Sequence, residues 1–249
     1  RARLLPHADA AGARWQMTAT NTPPRIAALV PMRHSSERVP NKNFRLFHGK
    51  PLYHWIVTAL LDAPSVTQVV IDTDSPTIRD DAARHFPSVR VIDRPEHLRD
   101  GSIPMNDVLL NSVQQIDADY FLQTHSTNPL LRASTIERAV LAFTQALPEK
   151  DSLFGVTRWQ TRFYDANGMA MNHDPSVLLR TQDLPPVYEE NSNIYIFSRQ
   201  TLEERGNRIG HNPVLFEIDR LESTDIDDEE AFLLAEAIAQ AKLVQGEKA

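Results

Sequence analysis

Two groups of charged residues in this chain have the types and spacing of a site that handles phosphate. The first group lies on a loop after the apolar run Ile26 to Val30 and comprises Arg33, Arg38 and Lys42, with Glu37 as the only acid. Arginine can fork onto phosphate oxygens, and lysine supplies a mobile point charge. Three cations at the end of a buried strand therefore suit an anion such as a phosphate chain. The alternative is a solvated loop whose cations pair with surface acids.

The second group is the pair Asp225 and Asp227 near the end of the chain. In extended backbone, residues i and i+2 point the same way, so both carboxylates reach one point while Ile226 turns towards the core. Mg²⁺ binds one or two carboxylates together with phosphate oxygens and water. The pair therefore predicts a magnesium site. The alternative is that Asp227 merely caps the last helix.

The composition excludes several other classes. The 249 residues are 41% hydrophobic and carry a net charge of −7, which fits one large α/β domain and argues against a general nucleic-acid binder. Without cysteine the chain has no disulfide or thiolate metal site, as is natural in the cytoplasm. No apolar run approaches the roughly 18–20 residues that span a bilayer. We therefore expect a cytoplasmic protein that binds neither nucleic acid nor a membrane.

Strand and helix patterns alternate four times in the first part of the chain. The predicted strands cover residues 26–30, 68–72, 89–92 and 120–123, and the predicted helices cover 52–61, 76–86, 104–116 and 134–146. This alternation is typical of a Rossmann-like, doubly wound α/β fold with a mostly parallel sheet. Ligands in such folds bind beyond the carboxyl ends of the strands. Neither the dinucleotide-binding glycine motif nor the P-loop motif is present, which argues against a dehydrogenase and a P-loop enzyme.

The pattern changes from Asp151 onwards. A strand over 153–159, a hairpin signal at Asn167-Gly168 and an irregular run indicate a small lobe or insertion of about 151–190. Strand patterns return at 193–198 and 214–218, followed by a helix over about 228–243. Residues 1–24 show no clear strand or helix pattern, and we expect them to be disordered or to be an extension that precedes the native start of the protein. Residues 25–249 would then form a single domain.

The basic loop matches a known motif. It contains Arg33, Ser36, Pro40, Lys42 and Asn43 and continues into Gly49-Lys50-Pro51-Leu52. Together these residues resemble the first motif of the sugar-acid cytidylyltransferases, a family that includes the CMP-N-acylneuraminate (CMP-sialic acid) synthetases and the related CMP-Kdo synthetases. Glu37 stands where the sialic members have lysine, so either one cation is lost or Arg38 replaces it.

Further segments resemble the family in the family's own order. They are Asp72-Thr73-Asp74, Arg94-Pro95 with Leu98 and Asp100, the run 123–132, Asn191 to Ile196, and Ser223 to Glu230. The run 123–132 is longer than the family pattern, so either Gln123 or His125 takes the place of the family's glutamine. The matches extend over roughly residues 25 to 240, which is most of the chain.

The resemblance implies a nucleotide-diphospho-sugar transferase fold and a Mg²⁺-dependent reaction of CTP with a 2-keto sugar acid. Nucleotide binding is expected from Arg33, Ser36, Arg38, Lys42, Asn43, Arg94 and Ser102, the last two reading cytosine. Sugar binding is expected from Gln123, Arg180, Asn191 and Tyr195, and Mg²⁺ binding from Asp225 and Asp227. Arg33, Lys42 and Asp225 would be catalytic. The small lobe would form a homodimer and lend residues to the other subunit's sugar pocket.

Two features leave alternatives open. Glu189-Glu190 stands where the sialic members have Arg-Pro, which suits a sugar with an amino or extra hydroxyl group, or a salt bridge to Arg180. The enzyme could also use another sugar or nucleotide. Because Glu37 and the lengthened run 123–132 depart from the family pattern, the protein could instead be a non-catalytic paralogue that only binds a nucleotide or a sugar. No metal-ligand spacing is found at His34, His54, His125, His173 or His211, which favours structural or solvent-facing roles for these five.

Overall fold

The structure is a computed structural model that describes residues 23–34 and 41–244, without the side chains of 242–244. Ser36, Glu37 and Arg38 lie outside the described residues, as does nearly all of the expected extension 1–24. None of the described helices is long and apolar enough to cross a membrane.

Nine strands and six α-helices build the described chain. The strands are β1 (Ile26–Met32), β2 (Leu46–Phe47), β3 (Lys50–Pro51), β4 (Val66–Thr73), β5 (Arg90–Asp93), β6 (Tyr120–Gln123), β7 (Ser152–Trp159), β8 (Val187–Phe197) and β9 (Pro213–Glu217). The helices are α1 (Leu52–Leu61), α2 (Pro76–His85), α3 (Met105–Val113), α4 (Ala133–Ala146), α5 (Arg199–Arg205) and α6 (Glu229–Val244).

Seven strands form the central sheet, in the order β5-β4-β1-β6-β8-β7-β9. The pairs β1–β4, β1–β6, β4–β5 and β7–β9 are parallel, whereas β8 runs antiparallel to both of its neighbours. The prediction of an α/β fold with a mostly parallel sheet is therefore confirmed. A separate two-stranded ribbon, β2–β3, precedes α1 and was not predicted.

Both faces of the sheet are covered, which explains why β1 reads as a continuous apolar run. Alternate residues of β1 enter two different clusters: Ile26, Ala28 and Val30 pack with residues of α1, α2 and α4, while Ala27 and Leu29 pack with residues of α3 and α5. All seven residues of β1 are buried. The strand is thus a rigid support for the loop at its carboxyl end.

Local signals placed several elements correctly. The predicted bounds of α1 and β6 agree with the structure, and Ser75 caps α2 by accepting a 3.3 Å hydrogen bond from the Ile78 amide. The Ser134–Glu137 motif also resembles a capping box, but that interpretation is wrong. The Glu137 carboxylate instead accepts hydrogen bonds from the backbone amide and the hydroxyl of Ser65, which lies in the loop between α1 and β4.

The lobe is narrower than the sequence boundary of about 151–190 because β7 and β8 belong to the central sheet. The residues between them, 160–186, lie outside the sheet. Within this lobe Gly168 adopts φ +77° at the predicted turn, and the Asp165 carboxylate accepts from the amides of Asn167 and Met169. The lobe exposes several large apolar side chains, namely Tyr164, Met169, Met171, Val177, Leu178 and Leu179.

Candidate active site

The basic loop and the aspartate pair meet at the carboxyl edge of the sheet. The ammonium of Lys42 lies 2.7 Å from the backbone carbonyl oxygen of Ile226, between the two aspartates in sequence. The Asn43 amide donates to the carbonyl oxygen of Arg33 at 3.2 Å and accepts from the Ser126 hydroxyl at 2.7 Å. One loop therefore joins the end of β1, the segment after β6 and the segment before α6.

The aspartates flank a buried anchor. Ile226 is fully buried against Phe47, Leu52, Leu130 and Phe232, whereas Asp225 is half-buried and Asp227 is exposed. This is the alternation that the sequence predicts. The Ile226 amide donates to the carbonyl oxygen of Thr127 at 3.0 Å, which fixes the segment against the loop after β6.

The electrostatics of the aspartates suit a bound cation. Burial raises the pKa of Asp225, and the nearby charge of Asp227 raises it further, although a hydrogen bond from Thr127 and the charge of Lys42 partly offset both effects. Two adjacent carboxylates of which one is poorly hydrated gain stability from a cation. The oxygen donors are of the kind that Mg²⁺ prefers, so the residues present fit this ion.

The alternative role of Asp227 as the cap of the last helix is not supported. Helix α6 begins at Glu229, and the Asp228 carboxylate accepts a 2.8 Å hydrogen bond from the Ala231 amide. Asp228 therefore provides the cap.

Buried amides hold the segment before the aspartates in place. Asn193 donates to the Ser223 carbonyl oxygen at 3.2 Å and to the Asn191 carbonyl oxygen at 2.9 Å. Asn191 in turn donates to Thr157 at 3.2 Å and is almost completely buried. A Cβ at Gly155 would lie 2.6 Å from the Asn191 side-chain oxygen, so β7 needs glycine at that point. Asn191 is thus placed within the support of the site.

Arg94 lies in a buried ion pair. Its Nε lies 2.6 Å from Asp72, and both side chains are only 3% exposed. Ser112 donates to the other oxygen of Asp72 at 2.8 Å. Ser102, in the loop after β5, bonds its hydroxyl to Asp100 at 2.6 Å. Asp72, at the end of β4, therefore anchors Arg94 at the sheet edge.

A second polar cluster surrounds Gln123 at the end of β6. The Gln123 amide nitrogen donates to the Thr124 carbonyl oxygen and to Nε2 of His125, both at 3.0 Å, while its oxygen accepts from Arg208 at 2.8 Å. Arg208 also stacks 3.7 Å above the ring of Tyr195. Both Gln123 and Tyr195 are fully buried. Sequence reasoning missed Arg208, since no local motif marks it.

His125 is held neutral in this cluster. Burial, together with the charges of Arg208 and Lys42, lowers its pKa to about 3. Its Nε2 accepts from Gln123, which places the ring proton on Nδ1. Gln123 and His125 therefore act as one hydrogen-bonded unit. A base this weak is poorly matched to proton abstraction near neutral pH.

The expected sugar residue Arg180 is not part of this cluster. It lies in the lobe with a side chain that is 73% exposed, and it pairs with Asp183 at 2.7 Å. The salt bridge from Arg180 to Glu189 or Glu190 does not form. Glu190 instead accepts a hydrogen bond from the Tyr195 hydroxyl, and Glu189 accepts one from the Trp159 indole at 2.8 Å.

A histidine cluster also forms that the sequence spacing did not indicate. His54 on α1 lies 2.7 Å from Asp81 on α2, and His85 lies 3.1 Å from the same carboxylate. The three groups are close enough to hold a metal ion. Tyr53 also donates to Asp81, so the carboxylate is already well supplied with hydrogen bonds.

The fold and this edge site define a class. A mostly parallel α/β sheet that presents lysine beside a carboxylate pair at its carboxyl edge suits an enzyme that binds a phosphate chain together with a cation. The family model described as "Cytidylyltransferase" matches residues 27–248. The chain therefore belongs to the cytidylyltransferase family.

Three relatives illustrate this similarity. The chain is 30% identical over 230 residues to a CMP-N,N'-diacetyllegionaminic acid synthase of Legionella pneumophila, covering 87% of this chain and 97% of the relative. It is 28% identical to N-acylneuraminate cytidylyltransferase A of Danio rerio, covering 81% of this chain but only 48% of the relative. It is 26% identical to a pseudaminic acid cytidylyltransferase of Campylobacter jejuni, covering 71% and 80%. The chain thus spans about half of the fish enzyme.

Solved structures share the fold. A CMP:2-keto-3-deoxy-manno-octonic acid synthetase complexed with CTP aligns with a TM-score of 0.64 at 15% identity, covering 88% of this chain and 99% of the other. A 4-diphosphocytidyl-2C-methyl-D-erythritol synthase from Anaerococcus prevotii also aligns with a TM-score of 0.64, at 10% identity and 87% and 96% coverage. At these identities the likeness shows the fold alone.

Proposed function

We propose that this protein is a Mg²⁺-dependent cytidylyltransferase that activates a 2-keto sugar acid of the sialic-acid type with CTP. The observation that carries the proposal is the contact of Lys42 with Ile226, because it joins a cationic loop to a carboxylate pair at one point of the sheet edge. A cation and a bound metal on opposite sides of a triphosphate would neutralise the charge that develops during nucleotidyl transfer.

The proposed reaction is a single displacement at the α-phosphorus of CTP. The anomeric hydroxyl oxygen of the sugar acid forms a bond to the α-phosphorus of CTP. The bond from that phosphorus to the α–β bridging oxygen breaks, pyrophosphate leaves, and the hydroxyl proton is released. No covalent intermediate with the protein is needed, so the protein acts by positioning the reactants and stabilising charge.

The phosphate contacts fall to the basic loop. Arg33 is exposed at the end of β1, and Asn43 ties the loop backbone to Ser126. Lys42 lies beside the aspartates and so can reach both the triphosphate and the metal site. Ser36 and Arg38 keep their proposed phosphate roles on the strength of the sequence alone.

Asp225 and Asp227 would hold Mg²⁺. When bound there, the ion would neutralise phosphate charge and lower the pKa of the sugar hydroxyl. The chain's own contribution is to keep both carboxylates close through the buried Ile226 anchor and to place Lys42 next to them.

Cytosine recognition would come from Arg94 and the loop that contains Ser102. The ion pair with Asp72 holds the Arg94 side chain in one orientation, which suits a group that reads hydrogen-bonding edges. Arginine and hydroxyl donors are suited to the acceptor atoms of a cytosine ring.

The sugar would lie beside the Gln123 cluster, with Asn191 and Tyr195 shaping that end of the site. Glu190, bonded to the Tyr195 hydroxyl, places an acid near the pocket. The relatives named for legionaminic, pseudaminic and N-acylneuraminic acids make nine-carbon sugar acids the first substrates to test.

The lobe would form a homodimer. Its apolar side chains are strongly exposed, with Leu178 at 91%, Met169 at 67% and Met171 at 63%. Large apolar side chains that are exposed together within one short segment are typical of an interaction site. A second copy would cover it, and Arg180 would then lie close enough to serve the neighbouring subunit.

The test is a turnover panel with pyrophosphate detection. CTP, ATP, GTP and UTP are each paired with N-acetylneuraminate, legionaminate, pseudaminate, Kdo and its amino analogue, with Mg²⁺ or with EDTA. We expect pyrophosphate release with CTP and one of the nine-carbon acids, and only with Mg²⁺. Faster pyrophosphate release with ATP, GTP or UTP than with CTP would show that another nucleotide is the substrate. Calorimetric CTP binding without turnover across the panel would instead support a non-catalytic paralogue.

A further inference from the structure

Arg208 is a half-buried cation in the loop between α5 and β9. One of its terminal nitrogens donates to Gln123 at 2.8 Å, and its guanidinium lies 3.7 Å above the Tyr195 ring. Gln123 pairs with Leu29 of β1 and with Tyr195 of β8 in the sheet. Arg208 is therefore positioned from two strands at the carboxyl edge of the sheet.

No carboxylate among the described residues forms an ion pair with Arg208. Six of the other described arginines, namely Arg25, Arg45, Arg79, Arg94, Arg132 and Arg180, each pair with an aspartate or glutamate, and the half-buried Arg199 donates instead to the backbone carbonyl oxygens of Val113 and Ile116. A partly buried charge without a counter-charge is costly to keep. The guanidinium has five N–H donors, and its hydrogen bond to Gln123 uses only one of its nitrogens. This geometry leaves a cation ready for an anionic ligand.

The polar atoms of the Gln123 side chain are already hydrogen-bonded within the protein. Its two amide hydrogens are directed to Thr124 and His125, its oxygen accepts from Arg208, and its side chain is fully buried. Its role is therefore to orient Arg208. Tyr195 supports the guanidinium from below through the face of its ring.

We propose that Arg208 binds the carboxylate of the sugar-acid substrate, with Gln123 and Tyr195 as the residues that position it. This inference rests on the function proposed above, because it names a contact within the same site. A guanidinium fork matches a carboxylate in two parallel hydrogen bonds. Arg180 is a weaker candidate within this chain, since it is exposed and already paired with Asp183.

The location also fits the chemistry of the reaction. In the cyclic form of a 2-keto sugar acid the reacting hydroxyl and the carboxylate are both attached to the anomeric carbon. The carboxylate must therefore bind close to the phosphate site. Arg208 donates to Gln123 at 2.8 Å, and Ser126, three residues further along the same segment, donates to Asn43 of the basic loop at 2.7 Å, so both cationic groups lie against the segment after β6.

The test compares each sugar acid with its own methyl ester, which lacks the negative charge. Binding of both forms to the full chain is measured by titration calorimetry with CMP and Mg²⁺ present, together with CTP affinity alone. The variants are Arg208→Gln, Arg208→Lys and the control Arg205→Gln, which removes an exposed charge three residues earlier. The ligands are N-acetylneuraminate, legionaminate, pseudaminate and Kdo.

We expect the wild type to bind its preferred acid at least about tenfold more tightly than the ester. Arg208→Gln should lose this preference while CTP affinity stays within about twofold. Arg208→Lys should keep a reduced preference, and Arg205→Gln should match the wild type. If Arg208→Gln does not fold, Arg208→Lys decides: full retention of the preference for the acid would overturn the proposal.

The outcomes separate the two proposals. An Arg208→Gln variant that still prefers the acid overturns the carboxylate assignment and leaves the cytidylyltransferase function standing. A wild type that binds CTP but none of the sugar acids overturns both the choice of acceptor and the role of Arg208. Equal loss of acid and ester binding would show that Arg208 merely maintains the pocket, which also contradicts the proposal.

Discussion

Lys42 and Ile226 are 184 residues apart in the chain, yet the ammonium of one lies 2.7 Å from the carbonyl oxygen of the other. The loop that carries Lys42 extends from the carboxyl end of the buried strand β1. The segment that carries Ile226 is held by the side chain of that residue in a third apolar cluster. The contact therefore brings a cation close to the two carboxylates, with Lys42 at the start of the short 3-10 helix Lys42–Phe44 and Ile226 in the irregular segment before α6.

Replacing Lys42 with alanine should lower kcat/KM by about 10²–10³-fold, the range for losing one preorganised charge-stabilising group. The matched control is Lys50→Ala, because Lys50 stacks 3.8 Å from the Trp55 ring and lies outside the proposed site. Steady-state kinetics with CTP and the accepted sugar acid measure both. A loss below threefold in Lys42→Ala would remove this residue from the active site.

Replacing Asp225 with asparagine should abolish Mg²⁺-dependent turnover while leaving the fold intact, because asparagine keeps the shape but lacks the charge that binds the ion. Asp228→Asn serves as the control, since asparagine can still cap α6. Activity is followed over a Mg²⁺ titration, with circular dichroism as the check on folding. Undiminished turnover of Asp225→Asn at low Mg²⁺ would contradict the metal assignment.

Replacing Arg94 with alanine should destabilise the fold by about 3–5 kcal/mol, because it leaves the buried Asp72 carboxylate without its cation. Urea unfolding measures this change. Arg25→Ala, which removes an exposed ion pair with Asp117, should by comparison change the midpoint little. The cytosine role is tested separately by calorimetry on Arg94→Lys, in which CTP binding should weaken more than sugar-acid binding; equal effects would argue against base reading.

His125 should make stability depend on pH below neutrality. Its pKa is about 3 in the folded chain, against about 6.5 when unfolded, so the unfolded state binds an extra proton between these values. Stability should therefore fall as the pH drops below about 6.5, and continue to fall towards pH 3. In His125→Gln the slope of unfolding free energy against pH, measured by urea titrations from pH 7.5 to 5, should be smaller. An unchanged slope would be inconsistent with a buried neutral ring.

Replacing Leu178 with glutamate should convert the proposed dimer to a monomer, because a charge at this 91% exposed position of the lobe would oppose burial against a second copy. Leu46→Glu is the control, since Leu46 is also exposed, at 62%, but lies outside the lobe. Sedimentation velocity gives the mass of each. A wild type that sediments as a monomer at micromolar concentration would refute the dimer.

Much of the fold could be predicted from local patterns. The apolar run of β1, the spacing of apolar residues along α1 and the Ser75–Pro76 cap each depend on neighbours within a few residues, and the structure contains all three elements. The same holds for the aspartate pair, since alternation along extended backbone already placed Ile226 inwards. The capping box predicted at Ser134–Glu137 does not form, because the Glu137 carboxylate accepts a hydrogen bond from Ser65, which is distant in the chain.

By itself, then, the sequence determined the alternating α/β architecture, the cationic loop and the two carboxylates, because these follow from periodicity and residue type. Only the tertiary structure decided which groups meet. It assigned the α6 cap to Asp228, buried Arg94 against Asp72, and brought Arg208 to Gln123 from a loop with no motif. The physical reason is that a charge is stabilised by the groups around it in space, and packing of the sheet and helices selects those groups without regard to their distance along the chain.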